Sequence, residues 1–188
     1  LKKITCLFLC LLFLSGGCSG LYNARLEMIE PQKGLSFQDD TLQIAFAPFI
    51  SDSLNCKIQN LSQENIKIIW EEALLTDPSG LDLPLIPLRD EEISPELTAK
   101  PSLLGPGEII EQKLIPRENI YYNLQARSYR SFPIVVTDNP LYSHVREYQG
   151  QSIKLLLPVQ IGAEIREYFF EFLIDLRLIG QPGRAPEF

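Results

Sequence analysis

The residue types that could do chemistry are few. One histidine, His144, and four cysteines, Cys6, Cys10, Cys18 and Cys56, stand among 188 residues. One imidazole excludes a multi-histidine metal centre. The carboxylate pairs Asp39-Asp40, Glu71-Glu72 and Glu91-Glu92 are sequence neighbours. Neighbours on a strand point to opposite faces, so none of these pairs sets a general acid against a general base. No serine stands in a Gly-x-Ser-x-Gly elbow, and no Gly-rich loop is built to cradle a phosphate. A Cys56–His144 dyad needs a reactive thiolate, but Cys56 lies in an alternating apolar stretch that reads as buried strand, where thiols are inert. His144 lies in the polar stretch 141–146 and reads as a solvated side chain. The expectation is a chain that is not an enzyme, with no metal and no cofactor.

Cys18 is the cysteine with a task. Lys2-Lys3 is followed by an apolar run from Ile4 to Leu14 and then by Ser15-Gly16-Gly17-Cys18. A short cationic stretch before an apolar core of about 7–15 residues is the layout of a secretory signal. The run is too short for a spanning helix of about 20 residues. The segment resembles a bacterial lipoprotein signal with its lipobox, although Ser15 stands where the motif usually has Leu. The resemblance implies cleavage before Cys18, acylation of its thiol and its new amino group, and anchoring in the cell envelope. Ser19 in place of Asp implies the outer membrane. Several acyl chains, at about 0.8 kcal/mol per buried methylene, make such an anchor effectively permanent.

A second concentration of useful residue types lies at 116–150. It holds Tyr121, Tyr122, Tyr129, Tyr142 and Tyr148, five of the seven tyrosines, with Arg117, Arg127, Arg130 and Arg146. Tyrosine and arginine supply rigid contact area and planar hydrogen bonding, the marks of binding hot spots. Tyr121, Tyr122, Arg127, Tyr129, Arg130 and Tyr142 are therefore the candidate interaction residues. The competing reading has the tyrosines capping a sheet edge and the arginines pairing with surplus acids.

Composition bounds the rest. The chain carries a net charge of −7, and removal of residues 1–17 takes two lysines and no acid, so the remainder is more acidic still. That excludes a nucleic-acid binder, which needs a basic surface, and argues against an electrostatic hold on anionic lipid. With Cys18 acylated, only Cys56 remains and no internal disulfide can form.

The elements that must position these residues are strands. Leu42, Ile44 and Phe46 alternate with small or polar residues, as do Leu54, Cys56 and Ile58, and Ile66, Ile68 and Trp70. Residues 60–65 read as a turn, so 53–75 is expected to form a hairpin. Asp77-Pro78-Ser79-Gly80 is a strong turn, followed by a short strand near 83–88. Residues 89–107 read as an exposed loop, 108–115 as a strand, and 116–150 as long and irregular. Ile153, Leu155, Leu157 and Val159 form one arm of a closing hairpin. Tyr168, Phe170, Phe172, Ile174 and Leu176 form the other, with the turn at Ile161-Gly162-Ala163.

The expected organisation is a signal peptide (1–17), a lipid-anchored flexible tether (18–40), a β-sandwich domain (41–179) and a loose tail (180–188). Seven or eight short strands favour an all-β, antiparallel β-sandwich. Cys56 followed by Trp70 echoes the strand-B cysteine and strand-C tryptophan of an immunoglobulin-like sandwich. The chain also resembles an uncharacterised group of bacterial envelope proteins. That resemblance rests on Asn60 with Ile66-x-Ile68-x-Trp70, the Asp77 and Gly80 turn, Pro106-Gly107, Pro116 with Tyr121-Tyr122, and the hairpin from Ile153 to Phe172. It implies a fold and no catalytic residue. Two functions follow as expectations. The first is an accessory protein, lipid-anchored in the membrane, that binds another envelope protein. The second is a glycan or small-ligand binding module using the 116–150 segment.

Overall fold

A computed structural model describes residues 22–88, 93, 99–137 and 147–178. The strands are β1 (Tyr22–Glu30), β2 (Ser36–Gln38), β3 (Leu42–Phe46), β4 (Phe49–Ile50), β5 (Leu54–Asn60), β6 (Ile66–Ile68) and β7 (Leu74–Thr76). There follow β8 (Asp82–Leu88), β9 (Ser102–Leu104), β10 (Ile109–Pro116), β11 (Ile120–Asn123), β12 (Ser128–Ser131), β13 (Ser152–Ile161) and β14 (Glu164–Leu178). Among the described residues, twelve strands form one continuous sheet in the order β2-β3-β5-β10-β8-β7-β13-β14-β1-β4, with β6 and β9 branching from β13. The strand pairs are antiparallel.

The sheet curls until its two halves face each other, giving an all-β sandwich. β8 makes the corner. Its first part pairs with β7 (Pro84 opposite Leu74), and its second part pairs with β10 (Leu85 opposite Pro116). The facing of the layers is seen in the rings. Phe37 on β2 and Phe46 on β3 meet Phe170 on β14 at centroid distances of 5.7 and 5.0 Å, both edge-on. Between the layers Trp70, Phe170, Phe172, Leu26 and Met28 are fully buried. Each such side chain contributes about 1.5–3 kcal/mol of burial free energy.

The structure corrects three expectations. The tether does not extend to residue 40, because β1 is a full strand paired with β14 from Tyr22–Leu178 to Glu30–Glu171. Ala24, Leu26 and Met28 are buried there while Arg25 and Glu27 are exposed. Residues 53–75 do not form a hairpin. β5 pairs with β3 and β10 in one layer, and β6 pairs with β13 and β9 in the other.

Asn60 explains this crossing. Its amide donates to the carbonyls of Glu64 (2.7 Å) and Leu104 (3.0 Å), and its Oδ1 accepts from the N–H and hydroxyl of Ser62. A side chain so occupied turns the backbone out of the ladder and into the opposite layer. Third, 89–107 is not wholly an exposed loop. Ala99 is buried, β9 pairs with β6, and Ser102 accepts the Trp70 indole N–H at 2.9 Å.

Cys56 and Trp70 thus stand in opposite layers, as strands B and C do in an immunoglobulin sandwich. Trp70 opens a 3-10 turn after β6 and is not itself on a strand.

Candidate functional site

The 116–150 segment is more ordered than its composition suggests. β11 and β12 form a separate two-stranded sheet. Asn123 opposes Ser128, so four residues make the loop. Asn123 Oδ1 accepts the Ala126 N–H at 2.9 Å, and Arg127 closes the loop at a φ of 50°. Five of the six candidate residues lie on this hairpin. Tyr122 opposes Tyr129, with ring centroids 5.0 Å apart and edge-on. Tyr121 opposes Arg130 on the other face, and its ring stacks on Phe132 at 4.2 Å and 22°. Directly opposed residues share a face, so the hairpin carries aromatic groups on both sides. Tyr142 and His144 lie outside the described residues, as do Cys18 and the segment 180–188.

The hairpin is fixed at its base. Phe132 N–H donates to the Asn119 carbonyl (2.8 Å), and the Ser131 hydroxyl donates to Asp52 Oδ2 (2.8 Å). Ile120 packs on a small cluster of Ile86, Leu88 and Ile115. Beyond the base it is open to solvent. Leu124 is 82% exposed, Phe132 54% and Tyr122 47%, and Arg127 and Arg130 are exposed.

The structure adds a surface that the sequence reading passed over. β14 turns Tyr168, Phe170 and Phe172 inward, but its outward face carries Ile165, Phe169 and Leu173 as well as charges. Phe169 is 60% exposed and stands directly opposite Leu156. The register Leu103–Lys67–Gln160–Ile165 extends this face across β9, β6, β13 and β14. Leu103 is exposed at the edge. Lys154 and Glu171, paired at 3.8 Å, rim the other side. The signal was present at every fourth residue from 165, masked by Glu167 and Glu171 between them.

A polar cluster closes the far end. Tyr168 Oη donates to Asp39 Oδ2 at 2.9 Å, and Arg166 Nη1 donates to Thr41 Oγ1 (2.7 Å) and Asp40 Oδ1 (3.1 Å). Arg166 Nε meets Glu164 at 3.2 Å. The bond from Arg166 holds the Asp40 carboxyl below the usual carboxylate range. Every partner here comes from the chain itself, and the cluster ties the β2–β3 turn to β14. It works as a latch between layers. Cys56 is buried, and burial pushes its thiol up to about 12. Among the described residues no group of three or more His, Cys, Asp or Glu is placed to hold a metal ion. No family model, curated protein or solved structure matches the chain.

Proposed function

We propose that this chain is a lipid-anchored, non-catalytic accessory protein of the bacterial cell envelope that works by contact with another envelope protein. The outer membrane is its expected site. The anchor rests on the sequence of residues 1–18. The contact is supported by the outward face of β14. A solvent-facing sheet surface is ordinarily polar, whereas here exposed Phe169 stands beside Leu156, with exposed Ile165 further along the same face and charges of both signs between and around them. An apolar centre with a mixed polar rim is the build of a protein–protein interface. The mixed rim suits a protein better than a lipid or a polyanion. A glycan-binding reading has in its favour the half-exposed Tyr122 beside the hairpin arginines.

The test is in-cell crosslinking of the processed protein with a photo-reactive residue at Phe169 and a control at Lys57, on the outer face of the opposite layer. A discrete envelope-protein adduct from position 169 alone is expected. Equal adducts at both positions, or none, reject this face. Cys18→Ala tests the anchor and should leave the protein soluble or unprocessed. Unchanged membrane fractionation rejects it.

A further inference from the structure

We infer that the β11–β12 hairpin is the foot on which the anchored domain rests, and that its occupant is the surface of an anionic phospholipid bilayer. The inference rests on the proposed lipidation of Cys18 and adds a second membrane contact, distinct from the protein contact on β14.

Position comes first. Tyr22, the first described residue, donates its N–H to the Thr137 carbonyl at 3.4 Å. Two residues on, Ala24 opposes Ile50 of β4. The chain leaving β4 accepts the Ile134 N–H on the Ser51 carbonyl (2.6 Å), and Asp52 holds Ser131. The start of β1 and the base of the hairpin therefore lie at one end of the sandwich. The Gly162 turn, the Asp39–Tyr168 latch and Asn60 lie at the other. Cys18 precedes Tyr22 by four residues, a span of about 14 Å when fully extended. β14 alone runs 15 residues, about 50 Å. A lipid on Cys18 thus holds the hairpin end close to the headgroups and leaves the latch end far from them.

Chemistry comes second. The hairpin exposes Leu124 at its loop, Tyr122 on β11 and Phe132 just after β12, and Phe49 on β4 is exposed at the same end. Aromatic rings of this kind settle at the membrane–water interface. Between residues 117 and 132 there are three arginines, Arg117, Arg127 and Arg130, and one acid, Glu118. Basic groups close to an anionic leaflet are drawn to its surface. Charge is felt over about 10 Å at ordinary salt. Asp39, Asp40, Glu64 and Glu164 are gathered at the distant end, while Asp52 at the hairpin base is engaged by the Ser131 hydroxyl. The net charge had argued against a hold on anionic lipid; the fold sets these four acids away from the hairpin.

The full-length lipidated protein, reconstituted in phosphatidylcholine vesicles with and without phosphatidylglycerol, provides the test. An environment-sensitive fluorophore is placed at Leu124→Cys, with Ala163→Cys in the opposite turn as control. Native Cys56 is buried and does not compete. Quenching by spin-labelled lipid should be several-fold greater at position 124 than at 163. It should increase with phosphatidylglycerol and weaken on adding Arg127→Glu and Arg130→Glu. Equal or absent quenching, in protein whose mass confirms the acyl chains, overturns the foot and leaves the accessory reading standing. Crosslinking of position 124 to a protein in cells would also overturn it, by making the occupant a protein. Absence of the acyl mass overturns the anchor, and the foot with it.

Discussion

Tyr168 Oη and Asp39 Oδ2 lie 2.9 Å apart and come from opposite layers, β14 and the turn that joins β2 to β3. Burial first, and then the Asp39 carboxylate, push the Tyr168 phenol up to about 12. An unfolded tyrosine titrates near about 10. Because the folded pKa is raised, the neutral phenol is the form that the fold favours. Its contribution is complete below about pH 10 and is lost as pH climbs through about 12. Urea midpoints should therefore fall more steeply across that window for the native chain than for Tyr168→Phe. Near neutral pH Tyr168→Phe should cost about 1 kcal/mol, the usual net worth of one hydrogen bond. Parallel pH profiles for the two proteins would show that the bond does not hold the layers.

Much of this latch and sandwich could be read from the chain, and what was missed has physical causes. β3, β5, β13 and β14 announce themselves by period-two alternation, and the β13–β14 turn falls where Gly162 allows a positive φ of 57°. Asp77 receives the N–H groups of Ser79 and Leu81, as its turn sequence implies. Pairing was harder. β5 and β6 are adjacent and both alternate, but which neighbour each takes depends on where Asn60 sends the chain, a long-range matter. β1 also alternates, through Ala24, Leu26 and Met28, and was hidden by the charged residues between them and by its closeness to the segment read as a signal and lipid anchor. The tyrosines and arginines of 121–130 were legible as residue types. Their pairing into a hairpin was not, since no Gly marks the loop and Arg127 takes the left-handed position.

Asn60 should prove hard to replace. It is fully buried, and both ends of its amide are occupied by groups from the crossover and from β9. Asn60→Ala takes the amide donor away from the buried Leu104 carbonyl, whereas the Ser62 N–H keeps the Thr41 carbonyl at 3.1 Å. A buried polar group left without its partner costs about 1–3 kcal/mol, and a loss in that range is expected in chemical denaturation. Asn60→Asp keeps the acceptor but turns a carboxylate oxygen toward the Glu64 and Leu104 carbonyls, so near neutral pH it should cost at least as much as alanine. Native-like stability of the alanine variant would mean that the crossing does not depend on this side chain.

Cys56 should be silent to thiol reagents. It is 6% exposed, and desolvation alone moves its thiol up to about 12, so the reactive thiolate is scarce at neutral pH. In the folded, processed protein, alkylation followed by mass spectrometry should leave Cys56 unmodified over hours, and urea should release full labelling. Labelling without denaturant at the rate of a free thiol would place Cys56 at the surface and remove it from the core.

Leu26 separates a strand from a tether. If residues 22–30 were only a spacer, shortening its side chain would leave stability untouched. In the fold Leu26 is 1% exposed, stands opposite Ile174 on β14, and donates its backbone N–H to the Pro48 carbonyl at 2.8 Å. Leu26→Ala should then cost about 2–5 kcal/mol, the transfer of the lost atoms plus the cavity they leave. Arg25→Ala, one residue away on the exposed face, should change stability by no more than about 0.5 kcal/mol. The contrast between these two neighbours is the measurement, read from urea denaturation of both variants. Equal, small effects would return the segment to the role of a tether. A large effect at Leu26 alone makes β1 part of the sandwich and takes residues 22–30 out of the expected tether.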